Sequence, residues 1–173
     1  INPNRNRLFL LYSMIQGFTE TTFKSYLSTE DNRIDTSVSS TQIRFLVKFI
    51  NDLDGSVQYC YPSLPNGIKS RFTYMAFNYN ITPNLYSGST KLFPSGHWKY
   101  EVYEVSWIGT VVVAAGTAPA TELDQLFVSD ENGVVQGIVT KGILNLTDKD
   151  GTEQVQYTQH PESSGENFIY YGQ

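Results

Sequence analysis

The run from His97 to Trp107 constrains the fold more than any other stretch of this chain. Trp98, Tyr100 and Val102 alternate with Lys99 and Glu101, and Tyr103, Val105 and Trp107 alternate with Glu104 and Ser106. A two-residue period in aromatic and β-branched types is the signature of a strand with one covered face. The alternation changes phase between Val102 and Tyr103, which predicts a bulge or a sharp bend at that point.

The same period recurs on both sides of this run. Ile43, Phe45, Val47 and Phe49 face one way against Arg44, Leu46 and Lys48, and Val57 to Tyr61 reads as the return strand of a hairpin. Asn51-Asp52-Leu53-Asp54-Gly55 supplies the turn chemistry between them. Arg71 to Tyr79 is a strand whose apolar parity shifts between Tyr74 and Met75. Short strands are expected at Lys91-Leu92-Phe93 and at Leu126-Phe127-Val128. Val134 to Leu146 is rich in Val and Ile, and its Gly137 and Gly142 mark bulges or close backbone approaches. Gln154 to Thr158 is expected to pair back on it across the Asp148–Gly151 turn.

Turn signals at intervals of about ten to fifteen residues from position 41 onward favour a sandwich or barrel. The expected fold is all-β, an antiparallel β-sandwich of Ig-like or jelly-roll-like type with extended N- and C-terminal segments. Residues 1–40 read as an N-terminal extension or arm. They contain a compact apolar run from Arg7 to Ile15, a strand at Thr21 to Leu27, and a long polar loop from Ser28 to Thr41. Residues 41–173 form the sandwich domain and include the C-terminal tail.

Composition narrows the function. Hydrophobic residues make up 40% of the chain, enough for a packed interior, whereas charged residues are only 17% and aromatic residues reach 14%. A surface poor in charge and rich in Tyr suits an interface. The formal net charge of −5 argues against a grip on phosphate backbones, so no nucleic-acid partner is expected. No apolar stretch approaches the ~18–20 residues of a membrane-spanning helix. The single cysteine, Cys60, has no internal disulfide partner and reads as a buried strand thiol.

Catalytic and metal chemistry find no anchor. Asp148-Lys149-Asp150-Gly151 lacks the third oxygen ligand and the twelfth-position Glu of a calcium loop, so it reads as a hairpin turn. One Cys and two separated histidines, His97 and His160, make neither a zinc site nor a triad. Glu101 and Glu104 fall on opposite parity unless the bulge at Val102–Tyr103 realigns them, and nothing else in the sequence points to an acid pair. No catalytic residue, cofactor or metal is expected. Tyr59, Tyr61, Tyr74, Tyr79, Tyr86, Trp98, Tyr100, Tyr103 and Trp107 would suffice for a sugar platform, against the plainer reading of core and subunit contacts.

The stretch Pro94-Ser95-Gly96-His97-Trp98-Lys99-Tyr100-Glu101-Val102-Tyr103 resembles a recurrent feature of tailed-bacteriophage structural proteins. There a Gly-bearing turn leads into a strand of alternating aromatics, as in upper-baseplate β-sandwich domains and Ig-like virion modules. Tyr103 to Trp107, Gly133 to Gly137, Glu153 to Tyr157 and Asn167 to Gln173 are similar to segments of proteins from environmental tailed phages. The likeness spans roughly positions 41 to 173. It implies a non-enzymatic virion protein assembling as multiple copies in the phage particle, either capsid-associated or part of the neck or tail. Its partners would be other copies of itself and other virion proteins. The candidate interface is the tail Phe168, Ile169, Tyr170 and Tyr171, which could add as a strand to a neighbouring sheet edge. The alternative is a carbohydrate- or receptor-binding sandwich that recognises a host-surface glycan.

Overall fold

The computed structural model describes residues 13–151. Eight strands form two sheets: β1 (Ser13–Phe18), β2 (Phe23–Leu27), β3 (Ile43–Asn51), β4 (Val57–Cys60), β5 (Thr73–Tyr79), β6 (Ser89–Thr90), β7 (Gly96–Ser106) and β8 (Val134–Thr147). The larger sheet runs β1-β8-β7-β3-β4 and the smaller β2-β5-β6. They pack face to face as a β-sandwich.

The interior between the sheets follows from period two. Ile43, Phe45, Val47 and Phe49 of β3 meet Phe23 and Leu27 of β2 and Met75 and Phe77 of β5 in one cluster, which Trp98, Tyr100 and Val102 of β7 complete. Phe23 stacks on Phe77 at 4.8 Å, and Phe49 meets both rings edge-on. Paired aromatic rings in these geometries add to the burial of their area.

The sheets are mixed, where a purely antiparallel sandwich was expected. β1 runs parallel to β8, and β5 runs parallel to β6. The cause of the first is that β1 adds to the open edge of the last described strand, its Ser13 opposite Gly142. A side chain at Gly142 would press on the Ser13 carbonyl and come within 2.6 Å of the Tyr100 hydroxyl. Tyr100 donates its hydroxyl proton to that same carbonyl at 3.0 Å. Glycine is thus required for the parallel edge to close, which is the close approach its place in the strand suggests.

Within the stretch 1–40, residues 13–27 supply β1 and β2, one strand to each sheet. Phe23, Ser25 and Leu27 of β2 point inward, as their alternation predicts. The 43–61 hairpin forms as expected, closed by Asn51 and Ser56 and turned at Gly55, whose φ is +73°. Two expected strands do not form. Lys91-Leu92-Phe93 is irregular, with the pairing carried instead by Ser89–Thr90, and Leu126-Phe127-Val128 lies in a long loop. Leu126-Phe127-Val128 is three apolar residues in a row and carries no alternation.

The irregularity expected at Val102–Tyr103 is present, but the extra residues belong to the partner strand. β3 pairs with β7 without a break from Trp98 to Ser106. In the β7–β8 ladder the register slips at Val102/Tyr103 and again at Glu104/Val105, leaving Val139 and Gln136 of β8 unopposed. β7 keeps a single parity throughout. The change of phase in its sequence reflects a second covering layer: from Leu46 to Trp107 the far face of the sheet is also buried, under residues 107–133. No bulge occurs in β5 against β2. Met75 and Phe77 face the core, while Phe72 and Tyr74 lie on the outer side beside Tyr26.

A candidate ligand cleft and two apolar surfaces

The chain leaves the larger sheet after Cys60 and crosses to the smaller one. Tyr61 donates its amide to the Leu85 carbonyl at 2.7 Å, and Ser63 exchanges two backbone hydrogen bonds with Ala76 of β5. Leu85–Ser87 is a short 3-10 turn, started by the Asn84 side chain and ended by Gly88 in the left-handed region at φ +76°. A Cβ at Gly88 would approach the Tyr61 carbonyl to 3.0 Å, so only glycine lets this turn sit against the crossover. A second turn at Leu64–Gly67 follows, with Gly67 also left-handed.

These two turns and the start of β3 enclose a cleft of about 570 Å³. Its size is that of an ordinary small-molecule site. Two cations, Arg44 and Lys69, line it, and no Asp or Glu does. Arg44 lies half-buried, on the face of β3 that carries Leu46 and Lys48. Its Nη1 donates to the Thr41 and Ile43 carbonyls at 3.0 and 2.6 Å. Nε and Nη2 have no partner among the described residues. Burial pulls the guanidinium below its ordinary value, and no neighbouring acid offsets this. Tyr86 lies parallel on the buried Tyr61, with ring centroids 6.1 Å apart, and both line the cleft. The Tyr61 hydroxyl is tied to the Pro119 carbonyl at 2.6 Å, which fixes the ring pair.

Behind the cleft, the loop 107–133 is fastened to the sheet by a compact polar network. Glu122 accepts from Lys48 Nζ and from the Tyr59 hydroxyl, each at 2.5 Å. Tyr103 donates to Glu101 at 2.6 Å, and Glu101 stands 3.9 Å from the same lysine. Burial pushes both phenols well above their usual range, and the adjacent carboxylates push them further. Burial also works to raise the Glu122 carboxyl, but the bonds from Lys48 and Tyr59 outweigh it and hold the group below its ordinary value. Glu122 thus fastens the loop through Lys48 and Tyr59, while Glu101 and Tyr103 engage each other on β7 beside the same lysine.

The sequence-suggested residues do not converge on one site. Glu101 lies on the loop-covered face, while Glu104 points to the other side and is fully buried. His97 is exposed at the start of β7, and Asp148 caps the amide of Asp150 in a turn. The aromatics divide among the inter-sheet core, the loop-covered cluster and the outer face of the small sheet, so they make no single platform. Cys60 is buried, and burial pushes its thiol up to about 12. Phe168, Ile169, Tyr170, Tyr171 and His160 lie outside the described residues. Among the described residues no group of three or more His, Cys, Asp and Glu could hold a metal ion.

Two surfaces expose apolar side chains in a way the sequence did not signal. On the loop, Leu123 is 82%, Phe127 92% and Val128 91% exposed. On the outer face of the small sheet, Tyr26, Phe72 and Tyr74 make a ring cluster, with the Lys24 ammonium 5.9 Å from the Tyr74 centroid. Compared with protein-family models, curated proteins and solved structures, the chain finds no match.

Proposed function

We propose that this chain is a non-enzymatic structural protein of a tailed-bacteriophage particle, working in multiple copies by contact with itself and with other virion proteins. The carrying observation is loop 107–133, where Leu123, Phe127 and Val128 are almost fully exposed. Three large apolar side chains exposed on one pinned loop support the reading of a contact surface. The low charge of the chain fits the same reading, because charged residues are depleted at interface cores. The likeness of Pro94–Tyr103 to phage sandwich modules supports a place in the particle. An Ig-like or jelly-roll-like kinship of the sandwich belongs to this proposal.

The test is sedimentation of the full chain over a range of concentrations, beside the variant Leu123→Ser, Phe127→Ser, Val128→Ser. The wild type is expected to form discrete oligomers and the variant to remain a monomer with an unchanged melting temperature. A wild type that stays monomeric, or a variant that assembles equally well, overturns the assignment.

A further inference from the structure

We propose that the cleft between the start of β3 and the two crossover turns binds a carboxylate-bearing saccharide. The inference stands apart from the assembly surface, which lies at Leu123, Phe127 and Val128 of loop 107–133.

The charge balance of the cleft is the first ground. A chain with formal net charge −5 presents here two cations and no acid. Arg44 is the sharper of the two. Its guanidinium spends only Nη1 on backbone carbonyls, so the Nε and Nη2 edge keeps its donors unspent among the described residues. That edge is the planar fork that grips a carboxylate through two parallel hydrogen bonds. Desolvation already acts against this charge with no anion to offset it. A bound carboxylate supplies the missing partner, and Lys69, exposed at the rim, adds a second cation.

The neutral lining points to a saccharide as the bearer. Tyr86, stacked on the fixed Tyr61, gives a flat ring, an apolar body with a polar edge of the kind that suits an amphipathic ligand. Ser63, Asn66 and Ser87 are exposed at the same cleft; the Asn66 amide can donate to and accept from sugar hydroxyls, and the two serine hydroxyls, which donate to the Ala76 and Asn84 carbonyls, keep acceptor lone pairs for them. An acidic peptide would find no unpaired strand to extend there, since Ser63 is already bridged to Ala76.

The experiment uses the full chain and two acidic probes, trigalacturonate and sialyllactose, followed by calorimetry. At least one should bind, with affinity falling as salt is raised. The methyl ester of the bound probe, which keeps the ring and loses the charge, should bind about ten-fold more weakly or less. Arg44→Gln should cost a similar factor, the loss of one charge-assisted pair. Lys69→Ala, at an exposed position that leaves the fold intact, should weaken binding several-fold. Tyr26→Ser, on the outer face of the small sheet, should leave affinity unchanged. The proposal falls if neither acid binds, if the ester binds equally well, if both cation variants bind as the wild type does, or if a poly-glutamate peptide binds more tightly than either sugar.

Discussion

Glu104 is a buried charge with no cation beside it among the described residues. Its carboxylate accepts instead from two consecutive amides, Ile34 at 3.0 Å and Asp35 at 2.8 Å. Those bonds, with Asn32 donating to the Val139 carbonyl at 2.9 Å, pin the polar loop 28–42 onto the bulged part of the β7–β8 ladder. Glu104→Ala should therefore cost about 3 kcal/mol, since hydrogen bonds to a charged group are strong and their loss leaves the amides unmatched. Urea denaturation measures this, and limited proteolysis should then cut first within residues 28–42. A loss below about 0.5 kcal/mol, the range of an ordinary surface change, would contradict the assignment. None of this was legible in the sequence. Alternation placed Glu104 opposite Tyr103 and Val105 as an outward residue, and its partners lie 69 and 70 positions away in the chain. A buried carboxylate satisfied by distant amides leaves no local pattern.

Strands were readable where one face is covered and the other is wet. β2 follows its alternation throughout, β3 does so apart from the buried Leu46, and β7 does so up to Val102. Gly142 marks a real close approach. The loop 107–133 was not readable as a covering layer. Its hold on the sheet comes from scattered contacts: Tyr61 donating to the Pro119 carbonyl, Lys48 and Tyr59 donating to Glu122, and Val111, Val113 and Ala118 in one apolar cluster with Leu46 and Val105, while Trp107 donating to the Glu131 carbonyl at 3.1 Å ties the loop's two ends together. Once that layer is in place, β7 is buried on both faces beyond Val102, and its pattern mimics a change of phase. The same fastening gives the loop an acid response. The Glu122 carboxyl titrates lower in the folded chain than its ordinary value of 4.5. Its contribution is therefore complete above that value and is lost as pH falls through the lower, folded one. Near-ultraviolet circular dichroism, which reports Trp107 beneath the loop, should hold steady down to about pH 4.5 and decline on further acidification. Glu122→Gln should weaken the loop already at neutral pH and remove that acid step. An identical acid step in the variant would mean that another group governs the loop.

At the scale of the molecule, the sequence made the β class and the 43–61 hairpin legible but not the sheet topology, while Gln154 to Thr158 lies outside the described residues. The parallel β1–β8 edge joins segments from opposite ends of the described chain, and parallel pairing leaves no turn signal between neighbours. The cleft was hidden for the same reason. Arg44, Lys69 and Tyr86 belong to three segments that meet only where the chain crosses between sheets. The proposed role works through surfaces the sandwich leaves open, foremost the exposed apolar residues of loop 107–133. Hydrogen–deuterium exchange of the full chain at low and high concentration tests it most directly. The account predicts that amides around Leu123, Phe127 and Val128 exchange fast in dilute solution and become protected as copies associate, while the β3–β7 ladder is slow in both. Equal exchange around these three residues under the two conditions would contradict it.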